Sequence, residues 1–378
     1  MTTPKSGESI SDSLLHFYRY DENIKYTGYA CFDLDHTIIK PKSGKVFPKD
    51  RDDWILMPHV EKVLEILYKN GWFIVIFTNQ SGLKSSKKLQ IDDFIYKLSA
   101  IVNKLDLNIH ILCSLSKDYY RKPMKGMWEE ITQFHPQIIE KPNFYCGDAY
   151  NPSDKLKASD LKFAKNINIP FVYPEKIFIG NFNIDNINSI IDECSILTNT
   201  SVQTIPKFQI ISQDEYEETI SKVKSFADKY KILFMVSPPA SGKTTFCKNV
   251  LSDFKRLSKD DYKTASQYKS AIKQNLENKN KIVLDNTNHT EKSRQTIFNI
   301  LVKNNTINEN DIGYIIMNIK KEDSMYLNKY RCYITAGKSK LLPDVAIHSY
   351  YKYLDEPHSN YIKINHTIKK LAYSNLLL

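Results

Sequence analysis

No apolar run in the chain approaches the ~18 residues that a membrane span needs. The opening MTTPKSGESISDSLLHFYRY has no basic stretch followed by an apolar core, so no secretory leader is expected. Cysteine is sparse and scattered: Cys31, Cys113, Cys146, Cys194, Cys247 and Cys332 never stand at C-x-x-C spacing. That argues against a zinc site or a disulfide framework and fits a reducing compartment. Arginine is scarce too. Only Arg19, Arg51, Arg121, Arg256, Arg294 and Arg331 occur among 53 basic residues. Lysine carries the routine surface charge, so each arginine is a candidate for a task that needs a planar fork. There is no internal repeat of 20–50 residues and no low-complexity tract.

What is present is enough for two ordinary domains: 378 residues, 42% of them hydrophobic. The net charge is +10. A basic chain can neutralise nucleic-acid phosphates, but lysine-rich solvated faces give the same balance, and composition leaves both readings open. GYACFDL (28–34), GWFIVIFTNQSG (71–82) and IIEKPNFYCGDA (138–149) are apolar runs that end in polar or acidic residues, and HVEKVLEILYKN (59–70) has helical spacing. KILFMVSPPASGKTTF (231–246), NKIVLDNTN (280–288) and DIGYIIMNIK (311–320) repeat the pattern. Strands alternating with helices predict parallel sheets buried on both faces. The fold class is therefore α/β, with two three-layer domains and mainly parallel sheets. We place them at 25–185 and 226–378, with an extension over 1–24, a linker over 186–225 and a C-terminal tail that runs from helix into loop.

SPPASGKTT (237–245) lies between a strand and a helix, the setting of a phosphate loop. In such a loop backbone N–H groups surround phosphates and the helix N-terminus adds a positive dipole end. Ser241, Gly242, Lys243, Thr244 and Thr245 are the nucleotide-binding candidates. Lys243 brings a cation to the β/γ oxygens, and the Thr244 hydroxyl can sit on Mg²⁺. The first glycine of the usual motif is replaced by Ser237. A serine can take that turn at negative φ, and Pro238 and Pro239 stiffen it. RLSKDDY (256–262) sets Lys259 beside Asp260: a carboxylate able to take a proton from an attacking hydroxyl, with a cation to hold an acceptor phosphate. IVLDNTNHT (282–290) ends a strand with Asp285 and Asn288. NKYRCYITAGKSKLLP (328–343) puts Lys329 and Arg331 ahead of a loop that can act as a lid.

CFDLDHT (31–37) places Asp33 and Asp35 at a strand end. Two carboxylates there can bind Mg²⁺ and divide the work. One attacks phosphorus, and the other protonates the leaving alcohol and later activates water. Thr78, Lys122 and Asp148 supply a hydroxyl donor, a cation for phosphate and a further acidic metal ligand.

These residues identify a resemblance. D-x-D-x-T followed by Thr78, Lys122 and Gly147-Asp148 resembles the haloacid dehalogenase phosphatases. SGKVFPKDRDDW, IFTNQSG and YYRKPMKGMW look like the phosphatase half of the bifunctional polynucleotide phosphatase/kinases. The phosphate loop, SKDD, LDNTN and NKYR resemble their kinase half, and the likeness spans about residues 25–365. It implies Asp33 as nucleophile and Asp35 as general acid/base. Mg²⁺ would lie on Asp33, the Asp35 carbonyl and Asp148, and phosphate on Thr78 and Lys122. It further implies Asp260 as base for a 5′-hydroxyl, Lys259 near the acceptor strand where the family more often has arginine, Asp285 and Asn288 supporting the acceptor or donor site, and Arg331 before Lys329 as lid cation. Asp160 is a further guess for the phosphatase. Mg²⁺ and ATP are the expected cofactors. The expected partners are nucleic-acid ends, DNA before RNA, with a functional link to a ligase, no membrane, a monomeric chain and a nuclear or cytoplasmic site. About 25 residues precede the first expected strand, so a forkhead-associated domain like that of animal relatives is not expected.

Other readings stay open at this point. A small-molecule phosphatase fused to a nucleoside or sugar kinase predicts turnover of free metabolites and weak salt dependence. RNA repair uses the same sites. A binding module with dead sites conflicts with Asp33, Asp35, Lys243 and Asp260, though Ser237 keeps it open for the kinase half.

Overall fold

The computed structural model describes residues 5–21, 23–83, 89–135, 141–151, 158–201, 212–302 and 307–365. The chain divides into two compact units, Met1–Ile205 with Cys332–Leu341 and Asn375–Leu378, and Pro206–Arg331 with Leu342–Ser374.

The first unit carries strands β1 (Lys5–Ile10), β2 (Leu14–Tyr20), β3 (Gly28–Phe32), β4 (Ile39–Lys40), β5 (Ile55–Leu56), β6 (Trp72–Asn79), β7 (Ile109–Ser114), β8 (Phe144–Cys146) and β9 (Phe171–Val172). Seven of them form one sheet in the order β1-β2-β7-β6-β3-β8-β9, and β4 pairs with β5. From β7 to β9 every pairing is parallel, whereas β1 and β2 add an antiparallel edge. Alternation along β6 explains why the sheet is buried on both faces. Ile74 and Ile76 pack with Val63, Leu64, Leu98, Ile101 and Ile191, from helices Val60–Lys69, Leu89–Leu105 and Ile187–Ser201. Phe73, Val75 and Phe77 pack with Met127, Trp128, Ile131 and Phe163, from helices Gly126–Phe134 and Ser159–Asn166. Each such side chain contributes about 2 kcal/mol on leaving water, so this two-sided burial fixes the register of the central strand. The chain leaves β3 for β6 and β7 on one side, then β8 and β9 on the other. Strand order therefore reverses at β3, where a doubly wound sheet opens a crevice at its carboxyl end.

The second unit repeats the arrangement with β10 (Ile232–Val236), β11 (Lys255–Leu257), β12 (Ile282–Leu284), β13 (Ile312–Asn318) and β14 (Tyr361–Asn365), ordered β11-β12-β10-β13-β14. All its pairings are parallel. Leu233 and Met235 face helices Gln213–Ala227 and Lys243–Val250, while Ile232 and Phe234 face helices Ala265–Glu277 and Glu291–Val302. Here the order reverses at β10, the strand that enters the phosphate loop.

Three expectations change. Residues 5–20, read as part of an extension, are β1 and β2 of the first sheet; Leu15 and Phe17 join its core. The span read as a linker is largely helical around residues outside the described set. Ile187, Ile191 and Cys194 belong to the first core, and Ser212 with Glu215 caps Gln213–Ala227 reciprocally. Past the helix Asp344–Lys352 the described part of the tail includes β14 and is not loop alone.

Candidate active sites

In the first unit β3 stops at Phe32, and the Asp33 amide donates to Cys146 O at 2.8 Å. Beyond it the chain turns: His36 takes φ 62°, and Asp35 bridges Ile39. Lys122 comes from the segment after β7, and its ammonium is buried among four oxygens. These are Asp33 Oδ1 at 2.5 Å, Asp160 Oδ1 at 2.7 Å, and Phe77 O and the Tyr145 hydroxyl at 2.8 Å. The Tyr145 hydroxyl in turn donates to Asp160 Oδ1 at 2.8 Å, and the Ala149 amide donates to Asp160 Oδ2 at 3.0 Å. Burial alone would discharge Lys122, but Asp160 and Asp33 outweigh it and hold its pKa above the usual lysine value. Burial drives the Asp33 carboxyl well above the ordinary carboxylate range, opposed by Lys122 and reinforced by Asp160 and Asp35. Asp148 is raised by burial and then by Asp160. Removing one partner from a buried pair of this kind costs about 3–5 kcal/mol.

Asp33, Asp148 and Asp160 each offer an oxygen within 4.8 Å of the others. Three hard carboxylate donors at one point fit a divalent cation such as Mg²⁺. The Asp35 carboxylate has partners of its own. Gln80 Nε2 donates to Asp35 Oδ2 at 2.6 Å and to Thr78 Oγ1 at 2.9 Å, tying the candidate acid to the hydroxyl expected to hold the phosphate. Lys97, a buried lysine, places Nζ 4.0 Å from Asp35 Oδ1.

In the second unit the loop after β10 turns at Ala240 (φ 60°) and Gly242 (φ 85°). Ser237 is not among the positive-φ residues. Its amide donates to Thr287 O at 3.2 Å, and its hydroxyl bonds that of Ser241, so the serine is built into the loop's floor. Lys243 Nζ donates to Pro238 O at 2.7 Å. Burial lowers Lys243 to about 8, with Arg331 adding to the drop and Asp285 and Asp260 opposing it. Asp285 is buried; its Oδ2 accepts from Thr244 Oγ1 at 2.7 Å and from Arg256 Nη1 at 2.7 Å. Its Oδ1 is buried and has no hydrogen-bond partner among the described residues. An unmatched buried carboxylate oxygen beside the Thr244 hydroxyl fits a divalent cation carried in with a triphosphate.

Residues 29–178 match the family model described as polynucleotide kinase 3 phosphatase. A bifunctional polynucleotide phosphatase/kinase of Schizosaccharomyces pombe is 33% identical over 90% of this chain and 79% of its own length. The chain belongs to the bifunctional polynucleotide phosphatase/kinase family. A putative member from Acanthamoeba polyphaga mimivirus is 29% identical over 85% of this chain and 80% of its own. The polynucleotide 3′-phosphatase of Saccharomyces cerevisiae is 30% identical and aligns with 47% of this chain and 94% of its own.

The structure groups Asp33 with Lys122 and Asp148 and joins Asp35 to Thr78 through Gln80, while Ser241, Gly242, Lys243, Thr244 and Thr245 lie together on the loop and the start of the helix after β10. Asp260 and Lys259 are exposed on the turn after β11. Arg331 ends near Asn328, whose Oδ1 accepts from Nη2 at 3.2 Å. Of the two residues expected to support the acceptor or donor site, Asp285 lies by the loop and Asn288 by the strand ends. Asp285 sits beneath the loop beside Thr244, on the donor side. Asn288 is buried and its amide donates to Met235 O at 2.9 Å and Leu284 O at 3.1 Å, so it fastens the ends of β10 and β12. Sequence reasoning gave Asp160 too little weight and did not name Gln80, Lys97 or Tyr145. Gln80 stood inside a quoted motif, but nothing in one sequence ties Lys97 or Tyr145 to Asp33.

Proposed function

We propose that this enzyme heals broken polynucleotide ends, removing a 3′-phosphate in the first unit and phosphorylating a 5′-hydroxyl from ATP in the second. The observation that carries the reading is the repetition: each sheet sets acidic and lysine side chains of a candidate site where its strand order reverses. Asp33 attacks phosphorus; the bond to the strand's 3′-oxygen breaks, and that oxygen takes a proton from Asp35. Asp35 then takes a proton from water, whose oxygen attacks phosphorus and releases Asp33. Thr78 and Lys122 hold the phosphoryl oxygens, and Asp160 with Tyr145 fixes Lys122. Mg²⁺, held by Asp33, Asp148 and Asp160 or the Asp35 carbonyl, screens the repulsion between carboxylate and phosphate when bound. In the second unit the loop and Lys243 hold the triphosphate, with Thr244 and Asp285 as ligands for its cation. Asp260 takes the proton of the 5′-hydroxyl, and Arg331 neutralises the transferring group.

The decisive substrate is a nicked DNA duplex bearing 3′-phosphate and 5′-hydroxyl, given ATP and Mg²⁺. Both ends are converted by the unaltered chain. Asp33→Asn abolishes only 3′-phosphate loss and Lys243→Ala only 5′ phosphorylation. Either change removing both activities from folded protein defeats the two-pocket assignment.

A further inference from the structure

Arg256 holds two carboxylates at once. It stands on edge strand β11 in register with Val283 of β12, and the Asp285 amide donates to Leu257 O at 2.9 Å. One nitrogen, Nη1, reaches Asp285 Oδ2 at 2.7 Å; the other, Nη2, reaches Asp261 Oδ2 at 2.6 Å. Asp285 lies beneath the phosphate loop. Asp261 belongs to the 3₁₀ turn Lys259–Asp261, which also carries Asp260. A second link secures the same turn: the Lys259 amide donates to Asn286 Oδ1 at 2.9 Å, and Asn286 Nδ2 donates to the Tyr268 hydroxyl at 2.8 Å.

We propose that Arg256 is a positioning residue of the 5′-phosphorylation reaction, yoking the turn that carries Asp260 to the carboxylate beneath the phosphate loop. The inference rests on the function proposed above. In-line transfer needs the acceptor oxygen, its base and the donor phosphate at fixed separation, and an error near 1 Å costs about a hundredfold in rate. A guanidinium is suited to this because its nitrogens point in fixed directions and can serve two carboxylates together. An ammonium has no such fork. Arg256 acts through the two carboxylates it bonds, Asp261 and Asp285.

The test uses the full chain with Asp261→Asn, Asp261→Glu and Arg256→Lys. Three quantities are read: kcat and KM for a 5′-hydroxyl oligonucleotide, Kd for a fluorescent ATP analogue with Mg²⁺, and 3′-phosphatase rate. Asp261→Asn is expected to lower kcat/KM for the acceptor at least tenfold, with nucleotide Kd within twofold and the phosphatase unchanged. Arg256→Lys gives a similar loss, the two together lose no more than either alone, and Asp261→Glu recovers part of it. Kinase kinetics like those of the unaltered chain in Asp261→Asn and Arg256→Lys overturn the inference alone. So does a loss that appears wholly as weaker nucleotide binding. An unaltered chain that never phosphorylates a 5′-hydroxyl overturns the proposed function and this inference with it.

Discussion

At Gly147 a side chain has nowhere to go. A Cβ there would lie 2.6 Å from both Cγ and Oδ2 of Asp160, the carboxylate that holds Lys122. Gly147→Ala therefore pushes Asp160 aside and moves the ammonium with it. We expect a stability loss of about 1–3 kcal/mol and a fall of about a hundredfold in 3′-phosphatase kcat. Phosphorylation of 5′ ends should persist. Parallel assays of the two activities, with a denaturant titration, check this. Asp33, Lys122 and Asp148 were legible in the sequence because each stands in a motif whose chemistry needs that residue type. Arg256 was legible only as a statistical hint: in a lysine-rich chain a rare arginine is suspect, and here it bridges Asp285 and Asp261. Lys97 gave no hint, since a lysine within a helix ordinarily reads as solvated surface.

Among the elements, the phosphate loop answers for its missing first glycine. The strained backbone falls at Ala240 and Gly242, not at Ser237. Ser237→Gly is thus expected to leave nucleotide Kd within about threefold. It should lower stability by about 1 kcal/mol through a more flexible unfolded chain and a lost hydroxyl contact. Gly242→Ala, by contrast, forces φ near 85° on a residue with a Cβ, at a cost of about 1–2 kcal/mol. Thermal melting of the two variants side by side separates these outcomes. The buried parallel strands were legible because two-sided burial leaves continuous apolar runs. β1 and β14 were not: KSGESI and YIKIN are short edge segments, where pairing and not burial makes the strand.

For the molecule as a whole, acid should strike the first unit through histidine. His16, His110 and His135 gather near Phe73 and Phe134, and His16 Nε2 lies 2.9 Å from His110 Nδ1. Burial, with the neighbouring histidines, lowers His16 to about 4 and His110 to about 2; burial lowers His135 as well. A depressed folded pKa means that the unfolded chain binds protons first. Stability is therefore full above pH 6.5 and declines as pH falls from 6.5 towards 4. His16 alone accounts for roughly 3 kcal/mol of that decline. Calorimetry between pH 7 and 4 should show the transition that abolishes 3′-phosphatase activity moving down steeply. His16→Leu with His110→Phe should flatten that dependence. The net charge of +10 adds a salt prediction. From 50 to 200 mM salt, KM for a long oligonucleotide rises at least tenfold through lost phosphate contacts, while hydrolysis of p-nitrophenyl phosphate barely changes.

The four oxygens around Lys122 Nζ carry a consequence for life among abundant orthophosphate. At rest that cation is already spoken for, by Asp33 and Asp160 above all, and Asp35 and Asp148 add further negative charge nearby. Before a divalent cation is bound, a bare anion drifting in meets repulsion first. It can dock only by prising Lys122 from its present companions. Free inorganic phosphate should accordingly bind the first unit feebly while Mg²⁺ is withheld, and grip it more firmly as Mg²⁺ is added.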